Sequence, residues 1–70
     1  MDIVRVFAGN LKKFRTLKGL SQEELAEKSG LHRTYISSIE RCQRNLSIEN
    51  VQRLADALEI ETYRLFLEES

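Results

Sequence analysis

The chain has 70 residues, of which 41% are hydrophobic and 31% charged, and it contains neither proline nor tryptophan. This length gives one small domain, and a single His and a single Cys exclude a disulfide framework and a four-ligand His/Cys metal site. No apolar run approaches the roughly 20 residues of a membrane span, and no signal peptide is recognisable. We therefore expect a cytoplasmic protein without a cofactor.

The net charge of zero conceals an uneven distribution of charge along the chain. Residues 10–46 carry eight basic and four acidic side chains, a net charge of +4. Residues 47–70 carry two basic and six acidic side chains, a net charge of −4. A positive segment is expected where a protein meets nucleic-acid phosphates, although a solvated helix face can show the same bias.

The first predicted helix covers about residues 3–18. Its apolar residues recur at spacings of four, four and three, which places them on one face of an α-helix: Ile3, Phe7, Leu11 and Phe14. Gly19 follows the last turn, as a C-terminal cap should. Gly9 inside the helix costs up to about 1 kcal/mol relative to Ala, so a close helix crossing or a kink there would explain its presence.

The stretch from Ser21 to Asn45 predicts two short helices joined by a tight turn. The first of these helices opens with the capping box of Ser21 and Glu24, buries Leu25 and Ala26, and ends at Gly30. The second runs from near Arg33 to near Arg41. This pattern is typical of a helix-turn-helix, which inserts its second helix into the major groove of DNA.

The outward face of that second helix carries the candidate DNA-reading side chains. Ile36 and Ile39 point inward with Tyr35 and Glu40 at the flanks, and five side chains lie on or beside the outer face: Arg33, Thr34, Ser37, Ser38 and Arg41. These are short or fork-shaped donors rather than the Lys and Glu of an ordinary solvated face. Plain solvation remains the alternative, and for Arg41 an intrahelical contact is as well supported as a phosphate contact.

Chemistry suggests a role for several of these side chains. Arg33 can read a guanine through bidentate bonds, and Thr34 can meet a thymine methyl or hydrogen-bond a base. Tyr35 can reach a phosphate or a base, and Gln22 lies at a helix start suited to gripping a phosphate. Lys12 and Lys13 are better explained as part of a solvated helix face than as contacts with the DNA backbone.

Two further residues could be assigned a function from their type alone, His32 as a pH sensor or ligand and Cys42 as a redox switch, but their surroundings do not support it. His32 has no second metal ligand nearby, and Cys42 has no resolving cysteine. We therefore expect an ordinary histidine and a partly buried thiol.

Two more helices complete the predicted domain. The fourth begins after the N-cap Ser47 and should bury five apolar residues: Ile48, Val51, Leu54, Ala55 and Leu58. The fifth covers about residues 62–68. Its apolar residues spread over too wide an arc for one core contact: Tyr63, Leu65, Phe66 and Leu67. Either Leu65 and Phe66 seal the core and the rest is exposed, or the segment mediates self-association, which we expect because so small a domain is marginal alone.

Over nearly its whole length the chain resembles the Cro/C1-type (XRE) helix-turn-helix family. The hallmarks are Ser21-Gln22, Leu25-Ala26, Gly30, Ile36, Ile39-Glu40-Arg41 and Arg44-Asn45. Within that family, the stretch from Arg33 to Ser47 is similar to the controller proteins of type II restriction–modification systems. The resemblance implies an all-α, compact five-helix domain of the lambda-repressor-like type covering residues 1–70.

The resemblance also implies roles for particular positions. The positions expected to read bases are Arg33, Thr34, Tyr35, Ser37 and Ser38, and those expected to bind phosphates are Gln22, Arg44 and Asn45. Arg15 and Glu40 match a structural ion pair. A homodimer interface would involve Tyr63, Phe66 and Leu67. The chain departs from the pattern at His32, where a better helix cap is usual, and at Cys42, where Gly is common.

The leading hypothesis is a homodimeric regulator that binds palindromic operators upstream of its own gene and a linked endonuclease gene. It would activate or repress them, with a second dimer in tandem and a contact with RNA polymerase for activation. A prophage repressor or an antitoxin is the alternative, but a chain ending at Ser70 leaves little room for the extra segment that these often carry.

Two other classes of function fit the sequence less well. An adaptor that has lost DNA binding would not be expected to retain Arg33-Thr34 and Ser37-Ser38. An enzyme is not expected, because no nucleophile–base pair, paired carboxylates or phosphate-binding Gly loop is recognisable.

Overall fold

A computed structural model describes residues 1–68, and in these residues the chain forms four α-helices followed by a short 3₁₀ helix. The elements are α1 (Ile3–Leu17), α2 (Gln22–Ser29), α3 (Arg33–Glu40), α4 (Ile48–Leu58) and the C-terminal 3₁₀ helix (Thr62–Phe66). The predicted domain also includes residues 69 and 70, which lie outside the described residues.

Local side-chain caps explain where the helices begin. The carboxylate of Asp2 accepts hydrogen bonds from the first turn of α1, and the hydroxyl of Ser47 accepts one from Asn50 in α4. At α2 both halves of the predicted capping box are present, since Ser21 and Glu24 each bond to the other's backbone N–H. These bonds satisfy N–H groups that have no partner within the helix.

Every element contributes to a single apolar core. The largest fully buried side chains come from all five elements: Phe7, Leu11, Leu25, Ile36, Ile39, Leu54, Leu58 and Leu65. Within α1, α3 and α4 these residues recur at three- or four-residue spacings, so the amphipathic pattern of these helices becomes the packed interior.

The predicted fifth α-helix over residues 62–68 is wrong, because the segment is a 3₁₀ helix that ends at Phe66. Leu65 is fully buried, and the Nδ2 atom of Asn10 donates to the carbonyl oxygens of Leu65 at 2.9 Å and Leu67 at 2.8 Å. These two carbonyls thus bond to a side chain of α1, and Leu67 adopts an extended conformation. The side-chain amide of Asn10 therefore takes the place of the backbone hydrogen bonds that would continue the helix.

The predicted burial of Ile48 is wrong, and Ile3 on the apolar face of α1 is exposed as well. Ile48 is 88% exposed and Ile3 is 46% exposed. Each is the first residue of its helix, and full burial starts further along, at Phe7 in α1 and Leu54 in α4. These two apolar side chains are left on the surface.

The close helix crossing considered at Gly9 is absent from the described residues. Gly9 is exposed, and a Cβ atom added there would meet no heavy atom within 4 Å beyond its own helix. Helix α1 continues through it without interruption.

Replacing Gly9 with Ala should therefore stabilise the domain. Ala restricts the unfolded chain and favours the helix, so the free energy of unfolding should rise by about 0.5–1 kcal/mol in urea denaturation. Gly19 provides the matched control, because it has equally open space but a φ of +71°. Gly19→Ala should lower the same free energy, and a shift of both variants in one direction would contradict this explanation.

Candidate nucleic-acid interface

The turn between α2 and α3 is built by Gly30. Its φ of 73° is in the left-handed region that glycine adopts without steric cost, and it reverses the chain after α2. The amide of Leu31 then bonds to the carbonyl of Ala26 at 3.1 Å. With Leu25 and Ile36 both fully buried, the two helices form a helix-turn-helix.

A polar network holds the C-terminal end of α3 against the rest of the domain. Arg15 forms a bidentate ion pair with Glu40, with Nε–Oε2 at 2.7 Å and Nη2–Oε1 at 3.0 Å. The Nη1 atom of Arg15 donates to the carbonyl of Leu20 at 2.8 Å, and Nε2 of Gln22 donates to Oε1 of Glu40 at 3.0 Å. The Glu40 carboxylate thus connects α3 to α1 and α2, and Arg15 also connects to the loop after α1.

The environment of this pair favours a structural role. The Arg15 and Glu40 side chains are only 11% and 5% exposed. The hydrogen bond to Glu40 raises the pKa of Arg15, and it outweighs the opposing effect of burial. Removing one partner would leave a buried charge unpaired, which typically costs about 3–5 kcal/mol.

The structure places the five predicted base-reading residues along one helix outside the core. Arg33 and Thr34 are exposed in the first turn of α3, and Tyr35, Ser37 and Ser38 are half-buried. The side chains of Ile36 and Ile39 alternate with them and lie in the core. A helix whose inner face is packed in the core and whose outer face carries polar side chains is suited to a groove in DNA.

The hydroxyl groups of this surface are already engaged in local hydrogen bonds. Oγ1 of Thr34 lies 2.7 Å from Nδ1 of His32, and Oγ of Ser38 donates to the carbonyl of Thr34 at 2.7 Å. Nη1 of Arg41 donates to Oγ of Ser37 at 2.8 Å. Of the two roles left open for Arg41, the structure contains the intrahelical contact.

Tyr35 is held from two sides. Nδ2 of Asn50 in α4 donates to the Tyr35 hydroxyl at 2.9 Å, and the Arg44 guanidinium lies 5.8 Å from the centre of the Tyr35 ring. Arg44 and Asn45 are both exposed in the loop between α3 and α4. The loop therefore places Arg44 beside α3.

The third predicted phosphate-binding residue is in a different setting. One N–H of the Gln22 amide is used by Glu40, so the side chain is part of the polar network below α3. Its second N–H is not needed for that bond. The phosphate contact of Gln22 stays a prediction.

The two departures from the family pattern have distinct structural outcomes. His32 serves as the N-cap of α3, because its Nδ1 atom accepts a hydrogen bond from the backbone N–H of Thr34 at 3.2 Å. The predicted partly buried thiol of Cys42 is wrong. Cys42 is exposed with a φ of 60°, since it ends α3 in the left-handed conformation and lies outside the core.

Sequence reasoning missed two asparagines that position other residues. Asn10 anchors the C-terminal segment, and Asn50 holds the Tyr35 hydroxyl. Both lie on the apolar face of their helices, since Asn10 is three residues after Phe7 and Asn50 is four residues before Leu54. An amide in such a stripe indicates a buried hydrogen bond and was the available signal.

Residues 1–68 contain neither a membrane-spanning helix nor a cluster of metal ligands. Among these residues no helix is both long enough and apolar enough to span a bilayer. No group of three His, Cys, Asp or Glu side chains in the same part of the chain is arranged to hold a metal ion.

Known proteins share this fold and sequence. Residues 11–65 match a family described as helix-turn-helix. A hypothetical transcription factor from Neisseria meningitidis is 46% identical over 94% of the chain, and the chain spans 62% of that protein's length. The control protein C.SmaI of Serratia marcescens is 52% identical over 83% of the chain and 69% of its own length.

A solved structure provides the comparison with DNA. The restriction–modification controller protein C.Esp1396I has been crystallised as a tetramer with its natural 35-base-pair operator. It superimposes with a TM-score of 0.86 at 41% identity, covering 94% of this chain and 87% of that one. The chain therefore belongs to the helix-turn-helix family and is homologous to the control proteins of restriction–modification systems.

Proposed function

We propose that the protein is a homodimeric controller that binds palindromic operator DNA through α3 and regulates its own gene and a linked endonuclease gene. The observation that carries this proposal is the exposed polar surface on α3, held rigidly by the network of Arg15, Gln22 and Glu40. The homology to control proteins supports the regulatory role.

In this proposal the side chains of α3 read base edges in the major groove. Arg33 is exposed at the start of the helix and has the fork geometry for O6 and N7 of guanine. Thr34, Ser37 and Ser38 are short enough to let the helix approach the bases closely. Tyr35 lies at the flank of this surface and contacts a base or a phosphate with its hydroxyl, which is oriented by the hydrogen bond from Asn50.

Phosphate binding is assigned to the loop after α3 and to the start of α2. Arg44 and Asn45 are exposed on that loop, and Arg44 rests on the Tyr35 ring. Gln22 is the first residue of α2, where the backbone N–H groups and helix dipole favour an anion. Contacts of this kind position the protein on the duplex without reading its sequence.

A second copy of the chain is proposed to cover the apolar surface formed by Ile3, Ile48, Val51 and Phe66. These residues line adjoining depressions, and Ile48 is almost fully exposed. Phe66 packs on Phe7 with ring centres 5.2 Å apart and so has a role in both the core and this surface. Two of the residues predicted at the interface are also exposed: Tyr63 at 62% and Leu67 at 51%.

Two-fold symmetry through this surface would set two copies of α3 about one DNA turn, or roughly 34 Å, apart. We extend the proposal to two dimers in tandem, because the related C.Esp1396I binds its operator as a tetramer. Activation would further require a contact with RNA polymerase, for which the acidic residues of 47–70 are candidates.

A footprinting titration on DNA upstream of the protein's own gene tests the function. We expect protection of a palindromic site, followed at higher protein concentration by an adjacent site. Absence of any protected site at low salt would contradict the proposal, because the phosphate contacts are strongest there.

Replacement of Arg33 tests the reading of bases. Arg33→Ala should cost about 1–3 kcal/mol of specific binding and relax the preference at one position in each half-site. Arg44→Ala is the matched control, since it removes the same side chain from a phosphate-binding position. It should weaken binding to all sequences alike and reduce the salt slope by about one unit. Unchanged selectivity in Arg33→Ala would show that the base-reading assignment is mistaken.

Replacement of Ile48 tests the self-association surface. A charge at this apolar position would have to be desolvated in a dimer, so Ile48→Glu should shift the protein to monomer in sedimentation equilibrium. Leu17→Glu is the control, because Leu17 is 71% exposed but does not line the surface. If Ile48→Glu remains as dimeric as Leu17→Glu, the interface lies elsewhere.

A further inference from the structure

We propose that His32 sets the hydrogen-bonding polarity of Thr34, so that Thr34 presents only an acceptor to the base that it meets. His32 is then a positioning residue for sequence specificity in addition to a helix cap. The inference rests on the proposed function, because it concerns which base edge α3 reads.

The acceptor role of Nδ1 in the His32 ring follows from its bond to the backbone. The N–H of Thr34 points at Nδ1 of His32, with the two nitrogens 3.2 Å apart. A backbone N–H can only donate, so Nδ1 must offer its lone pair. In this arrangement Nδ1 is the acceptor nitrogen of the His32 ring.

The same nitrogen determines the orientation of the Thr34 hydroxyl. Oγ1 of Thr34 lies 2.7 Å from Nδ1, closer than the backbone nitrogen. With Nδ1 as the acceptor, the hydroxyl donates its single hydrogen to the ring, so the backbone N–H and the hydroxyl share the one lone pair of Nδ1. Thr34 is exposed, so the remaining lone pairs of Oγ1 are available to a ligand as acceptors.

An acceptor distinguishes two classes of base in the major groove. Adenine N6 and cytosine N4 are amino groups that donate, whereas guanine O6 and thymine O4 are carbonyl oxygens that accept. An oxygen locked as an acceptor pairs with the first class and is repelled by the second. Thr34 should therefore select adenine or cytosine at its contact position.

The neighbouring serines show that this polarity is set residue by residue. Ser38 donates its hydroxyl hydrogen to the carbonyl of Thr34, so it too is left as an acceptor. Ser37 instead accepts from Nη1 of Arg41 at 2.8 Å, which leaves its hydrogen free to donate. Ser37 thus keeps one hydrogen and one lone pair and can either donate or accept, whereas Thr34 can only accept.

Selection from duplexes with randomised palindromic half-sites tests the inference. The wild-type protein should enrich adenine or cytosine at one position per half-site, and Thr34→Val should lose that preference and so identify the position. His32→Ala should reduce the preference there about three- to tenfold, because the freed hydroxyl can rotate and donate. His32→Asn, whose Oδ1 atom can still accept both bonds, should retain it.

A chemical probe tests the same contact in the unaltered protein. A methyl group on the exocyclic amino group of the selected base removes the donor that faces the groove. The wild-type protein should then bind about three- to tenfold more weakly, and Thr34→Val should be insensitive to the methyl group.

The contrary outcomes are distinct. Enrichment of guanine or thymine at the Thr34 position would show Thr34 acting as a donor and would overturn the inference. If Thr34→Val keeps the base preference, the contact is made by the side-chain methyl group and not by the hydroxyl. If His32→Ala keeps the preference, His32 does not set the polarity of Thr34. If the wild-type protein enriches no sequence at all, the proposed function itself fails.

Discussion

The orientation of α3 depends on the buried ion pair between Arg15 and Glu40. Both partners are largely withdrawn from water, and both also bond to other groups, Arg15 to the Leu20 carbonyl and Glu40 to Gln22. Separating the two buried charges would leave each of them unpaired, which costs several kcal/mol. The pair is therefore compatible with only a narrow range of positions for the end of α3. The ion pair thereby determines where the outward side chains of α3 lie, because the helix cannot rotate without breaking the pair.

Above this rigid base, the polar surface of α3 is organised by short-range hydrogen bonds. His32, Ser38 and Arg41 each bond to a residue within four positions along the chain. Such bonds contribute modestly to stability at exposed positions, but they decide which atoms can donate and which can accept. The core thus controls where α3 lies, and the local bonds control what it offers to a partner.

The sequence predicted the helix-turn-helix well because its signals are local. The capping box at Ser21 and Gly30 in the turn need no distant partner, and the alternation around Ile36 separates outer from inner positions. The length of the last helix was not predictable in this way, because it depends on Asn10 more than 50 residues away. In the proposed dimer the exposed Ile48 and Tyr63 would face a partner chain, which no pattern within one chain describes.

The bonds of Asn10 to Leu65 and Leu67 can form only after the last part of the chain has been synthesised. Residues of the helix-turn-helix are complete by position 45, whereas the last core side chain is at position 65. At about 5–20 residues per second, the ribosome needs roughly 1–4 s to add the intervening chain. During that interval the α1 amide lacks its partners and the core lacks Leu65. A nascent chain therefore contains the whole helix-turn-helix before it contains all the side chains of the core that packs against it.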